Sequence, residues 1–293
     1  MKTLLTASLL AVFSLSNAAF SQDDEGPSSG IRESYKSPYS VEFSYPLDDL
    51  IGDIISGVRG SVYEESSLPH DRWDSHYVRT KYGAWGPPAR HYPLLRGLSE
   101  KNIEWKRERV IAVGLRYIGR PYQHHHIPDW TPPEYWPWLK VGEGRNTRGI
   151  DCSNFSSFIY NQAFGYRFSS DIKAQAEQLE IRAGEGDETF QAMEIKRPAN
   201  YEDFKKELRT GDLLYIKSRG EVVHVIIWVG KIGRSPDGVP LVLDSTGGNH
   251  KDCNGKLIPN GVQLRPFTED SWYFKGTSHA KRVILGGERN EDH

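Results

Sequence analysis

Cysteine is scarce in this chain, with two in 293 residues. Small secreted domains held by disulfides carry many more, so a cysteine framework is excluded as the basis of the fold. Neither charge sign dominates: 37 Lys and Arg stand against 39 Asp and Glu. That balance supplies neither the basic field a nucleic-acid partner requires nor a polybasic surface for membrane docking. Long hydrophobic runs are missing after the N-terminus, where Leu4–Leu15 is too short to span a bilayer. Present in quantity are 28 Gly, 17 Pro, 15 Tyr and 8 Trp. They indicate a loop-rich globular protein with aromatic-lined surfaces.

The first residues read as an export signal. Lys2 provides the positive flank, Leu4–Leu15 the apolar run, and Ser16, Ala18, Ala19 and Ser21 the small residues around a cleavage point. No cysteine stands there to take a lipid. Residues 1–21 are expected to be removed, leaving an exported, secreted or periplasmic protein without an integral membrane segment. Residues 22–35 are polar and predict an unstructured linker. Residues 36–98 form an extension of unassigned role, either a small subdomain or a wrap on the main domain, with a short helix near Leu47–Val58. Residues 99–286 form the main domain and 287–293 a tail. No internal repeat is present.

Val110, Val113, Gly114 and Tyr117 recur at helical spacing and predict a helix over 101–118, stopped by Gly119 and Pro121. A long loop rich in His, Trp and Pro follows at 123–149. Asp151 is a good N-cap for a helix whose apolar face is Phe155, Phe158, Ile159 and Ala163, ending at Gly165. Ile172–Leu179 and Tyr201–Leu208 also read as helices. From Asp212 the pattern changes to short runs rich in Val, Ile and Leu: Asp212–Ile216, Val222–Val229, Leu241–Asp244, Val262–Arg265 and Lys281–Leu285. Helices followed by strands predict an α+β fold with an antiparallel sheet.

Cys152 follows the capping Asp151 directly. Unpaired N–H groups and a partial positive charge at a helix start favour an anionic sulfur, the form that attacks a carbonyl. The same position suits a buried structural cysteine, or one half of a bridge to Cys253. His224 interrupts a β-branched run, on a face shared with Val222, Ile226 and Trp228. It reads either as a core histidine tied to a backbone carbonyl or as the base for Cys152. A base needs a third group to hold its tautomer. Asp244, ending the next strand, is the first choice, although it also suits a turn cap. His250 is the alternative. Three adjacent histidines, His124 to His126, lack the spacing of a zinc site, so no metal or other cofactor is expected.

Five blocks in order resemble the NlpC-type cell-wall cysteine peptidases. They are the helix Arg109–Ile118 with its Gly119-Arg120-Pro121-Tyr122 exit, Asp151-Cys152-Ser153-Asn154-Phe155, the Gly211-Asp212 turn, His224–Gly230, and Trp272-Tyr273-Phe274 with Ala280–Val283 as an aromatic-then-basic closing strand. The resemblance implies a papain-like fold in which the nucleophile helix packs on an antiparallel sheet. It implies hydrolysis of peptidoglycan stem peptides at the γ-D-glutamyl–diamino acid bond, with Cys152 as nucleophile and His224 as base. Asp151 and Ser153 would help bind the amino end of the stem peptide, and Tyr122 would line that site.

Departures from the family pattern bear on substrate preference more than on reaction type. Asn154 stands where glycine is usual, Leu243-Asp244-Ser245-Thr246 where a His-Ala-Ser run is usual, and the 123–149 loop replaces a short segment. Other functions compatible with the sequence are a thiol amidase, an acyltransferase and a non-catalytic wall-binding protein.

Overall fold

A computed structural model describes residues 35–59, 92–120, 122, 150–184 and 188–285. The export signal, residues 22–34 of the linker, residues 60–91 of the extension, Pro121, the 123–149 loop with His124–His126, and the 287–293 tail lie outside the described residues.

The central sheet has six strands, each antiparallel to its neighbours. In spatial order they are β12 (Gly261–Pro266), β9 (Leu241–Thr246), β7 (Glu221–Trp228), β6 (Leu213–Ser218), β13 (Thr277–Arg282) and β5 (Met193–Lys196). Helix α3 (Cys152–Phe164) packs on one face, with all thirteen of its residues buried. Phe155 and Ile159 of α3 share a core there with Tyr215, Val225, Ile227, Leu241 and Leu243. On the other face, α5 (Tyr201–Glu207) and α6 (Trp272–Gly276) bring Phe204, Tyr273 and Phe274 against Leu214, Ile226, Trp228 and Val242. Both faces are covered, so strands β7 and β9 read as nearly continuous apolar runs rather than alternating ones.

Helix α2 (Ile103–Leu115) lies beside α3, its first turn capped by Asn102, which accepts from the Trp105 amide at 2.8 Å. Gly165 ends α3 with φ of +86°, and a side chain there would put its Cβ 2.6 Å from the Pro93 carbonyl. Only glycine meets both demands.

The described part of the N-terminal extension wraps onto this core. β1 (Ser40–Val41) pairs with β8 (Gly233–Arg234), and α1 (Leu47–Ile55) buries Leu50, Ile51 and Ile54 in the same cluster as α3. Buried Arg109 holds Asp53 through two bonds, of 2.9 and 2.7 Å, and donates to the Ala163 carbonyl near the end of α3. The extension thus braces the helix that carries Cys152.

Three expectations need correction. Trp272-Tyr273-Phe274 is not strand: Ser271 accepts from the Phe274 amide and starts the one-turn helix α6. The closing strand is Thr277–Arg282, while Val283 and Ile284 turn into the core. Val222 does not share a face with His224. Ile216 pairs with His224 and Lys217 with Val222, so Val223 is a bulge that shifts the alternation. The sequence also concealed β5 and a small sheet of β2 (Tyr166–Arg167), β3 (Glu180–Ala183) and β4 (Thr189–Gln191). Their strands are too short to show a period.

Candidate active site

Asp151 shapes the start of α3. Its Oδ1 accepts from the Asn154 amide at 2.9 Å and from Asn154 Nδ2 at 2.8 Å, and its carbonyl accepts from the Phe155 amide. Asn154 therefore clamps the capping carboxylate, a bond that the glycine usual at this position could not make. The Asp151 side chain caps the Asn154 amide, while Cys152 and Ser153 open the helix at its electropositive end. Ser153 is buried, and its hydroxyl donates to the Ser170 carbonyl at 2.7 Å. Cys152 is buried and Cys253 exposed; both are free thiols, so no bridge joins them.

His224 is 5 % exposed and sits immediately after the Val223 bulge. Bulges commonly re-aim a side chain beside a site. Its Nε2 lies 3.0 Å from Asp244 Oδ2. With Nε2 taken, Nδ1 is the ring nitrogen left over, and the Cys152 sulfur lies close enough to act on the imidazole. Burial works against a charged imidazole here, but the Cys152 and Asp244 charges and hydrogen bonds outweigh it and push the group up to about 10. The structure thus brings Cys152, His224 and Asp244 together.

Asp244 is wholly buried, yet its ionised form is favoured. Desolvation opposes the charge, and Arg265, His224 and Tyr273 overcome that to bring the carboxyl down to about 2. Arg265 Nη1 donates to Oδ1 at 2.6 Å, and the Tyr273 hydroxyl donates to Oδ2 at 2.7 Å. His250 does not reach His224's partner atoms. It stacks on Tyr273 at 4.8 Å, and burial lowers its basicity. Tyr122 stands close enough to Cys152, Asp151 and Asp244 that their charges add to burial in raising its phenol. Its ring lies over Gly247, where an added Cβ would come within 2.8 Å of it. Trp272 covers the His224 ring at 5.4 Å and is itself partly exposed.

Three contributors escaped the sequence reading. Arg265 and Tyr273 hold Asp244. Gln175, in α4 (Ile172–Glu177), donates to the Ser153 and Ser169 carbonyls and accepts from Ser156, tying the first turn of α3 to the next segment. The only advance signal was the polar alternation Gln263, Arg265 within an apolar strand.

A thiol opening a buried helix, with a His–Asp pair delivered from the antiparallel sheet, is the papain-like arrangement of the α+β class. Within it, residues 141–278 match the NlpC/P60 family model, and this stretch is an NlpC/P60 domain. Curated proteins give no match to the chain. Among solved structures, an NlpC/P60 family protein from Bacillus cereus ATCC 10987 is 18 % identical, with a TM-score of 0.34. The match covers 61 % of this chain but only 40 % of that protein. The NlpC/p60 domain of the peptidoglycan hydrolase SagA is 19 % identical with a TM-score of 0.30, over 58 % of this chain and 93 % of that one.

Proposed function

We propose that this protein is a cysteine endopeptidase that acts outside the cytoplasm on peptidoglycan stem peptides, cleaving the γ-D-glutamyl–diamino acid bond. The observation that carries this reading is His224 held between the Cys152 sulfur and the Asp244 carboxylate. Among the described residues no helix is long and apolar enough to cross a membrane, which agrees with an exported enzyme.

In the proposed reaction the Cys152 sulfur attacks the γ-glutamyl carbonyl carbon. The oxyanion forms beside the amides at the start of α3. The His224 imidazolium gives its Nδ1 proton to the leaving amine, the C–N bond breaks, and a thioester to Cys152 remains. His224, now neutral, takes a proton from water; the resulting hydroxide equivalent attacks the thioester and releases the γ-glutamyl acid. Asp244 keeps the Nε2 proton in place throughout. Asp151 receives the ammonium at the amino end of the stem peptide, and Tyr122 lines that end of the site.

Digestion of purified muropeptides read by mass spectrometry tests the assignment. Loss of the γ-D-glutamyl–diamino acid bond supports it. Loss of the link between glycan and peptide would instead make the enzyme an amidase.

A further inference from the structure

His224 needs one acceptor to hold its Nε2 proton, and a neutral amide oxygen would serve. The site instead buries a charged carboxylate, which requires full compensation. Three donors converge on Asp244 from three elements. Arg265 of β12 takes Oδ1, while His224 of β7 and Tyr273 of α6 share Oδ2. The pairing of Gln263 with Asp244 puts Arg265 two residues along on the same face, wholly buried. Its Nη2 donates to the Pro259 carbonyl at 2.7 Å, and its Nε has no partner among the described residues. The other titratable groups acting here are Cys152, through His224; His250, which stacks on Tyr273 with its Nε2 3.3 Å from the Tyr273 hydroxyl; Tyr122, whose phenol feels the Asp244 charge; and Tyr35, which feels that of Arg265.

A carboxylate accepts on both oxygens, whereas an amide accepts on one and donates on the other. With Arg265 present, an amide at 244 would turn its oxygen to the guanidinium and its NH₂ to His224, imposing the wrong tautomer. We propose that Arg265 and Tyr273 are positioning residues that aim Asp244 Oδ2 at His224, and that Arg265 is what makes an aspartate obligatory at position 244. This inference rests on the reading of Cys152 and His224 as the reacting pair.

The test is a double-mutant cycle of Asp244→Asn and Arg265→Met, with Tyr273→Phe alongside. Each variant is read by kcat and KM on the stem peptide, by melting temperature, and by NMR titration of His224. Asp244→Asn alone should lower both kcat and melting temperature. Adding Arg265→Met frees the amide oxygen for His224, and should recover roughly ten-fold of the lost kcat and much of the melting temperature, with KM unchanged. Tyr273→Phe should lower kcat and the His224 titration point with little change in melting. A double variant no better than Asp244→Asn in kcat, melting temperature and titration would overturn the proposal, as would a Tyr273→Phe enzyme with unaltered kcat and titration. Should the wild-type protein cleave no stem peptide, the proposed function fails; the melting and titration cycle still decides the Arg265 brace.

Discussion

His224 and Asp244 meet where their strands part. β7 and β9 pair only at Ile227–Leu243 and Trp228–Val242. Beyond those pairs the two side chains close the gap themselves, Nε2 to Oδ2 at 3.0 Å. The bulge at Val223 on one side and the Arg265 bond on the other fix how each approaches. The contact is thus a property of the sheet's register and not of a mobile loop.

Replacing His224 removes both the proton donor and the partner of the sulfur. His224→Gln is expected to lower kcat by about 10²–10⁴-fold. Steady-state kinetics on a stem peptide, with circular dichroism to confirm folding, checks this. Undiminished turnover would place the base elsewhere.

Stability should depend on pH at two separate points. His224 has its folded value raised to about 10. Its contribution is complete below about pH 6.5, the unfolded value, and is lost as pH rises through about 10. Asp244 has its folded value lowered to about 2. Its contribution is present above about pH 3.9, and is lost as pH falls through about 2. Melting temperatures across the range should decline at both ends. His224→Gln should flatten the alkaline decline, and an unchanged alkaline limb in that variant would exclude His224 as its source.

Asp151 has a capping role in the structure and a charge role in the proposed substrate contact, and one substitution separates them. Asparagine caps about as well as aspartate, so Asp151→Asn should keep its melting temperature within a few degrees. KM for peptides with a free amino end should rise, and KM for N-acetylated ones should not. Equal effects on both peptides would remove the ammonium contact from the account.

Gly247 leaves room for the Tyr122 ring, and a Cβ there would approach the ring within 2.8 Å. Gly247→Ala should displace Tyr122 and lower kcat/KM, by up to about 100-fold if the substrate shifts by about 1 Å. A crystal structure of the variant together with its kinetics checks this; a displaced ring with unaltered kinetics would exclude Tyr122 from the substrate site.

Much of the arrangement could be read from the chain before any coordinates. Asp151 as cap, Cys152 as first helical residue and Gly165 as terminator follow from local chemistry, and each stands in the structure as read. The β-branched runs around His224 and Asp244 marked their strands because long apolar segments carry their own signal. Arg265 and Tyr273 did not stand out, because their significance lies in convergence on Asp244 from two other elements. The Val223 bulge was equally hidden, since one unpaired residue leaves no mark on composition. Trp272–Phe274 misled for a related reason: aromatic residues suit a strand, but the Ser271 cap redirects them into a helix turn.

The most direct measurement is cleavage of a γ-D-glutamyl–diamino acid peptide by the wild-type protein, Cys152→Ala and Cys253→Ala, followed by mass spectrometry. Wild type and Cys253→Ala should release the same two fragments at similar rates, and folded Cys152→Ala should release none. Fragments produced by Cys152→Ala at the wild-type rate would contradict the assignment of that sulfur as the nucleophile.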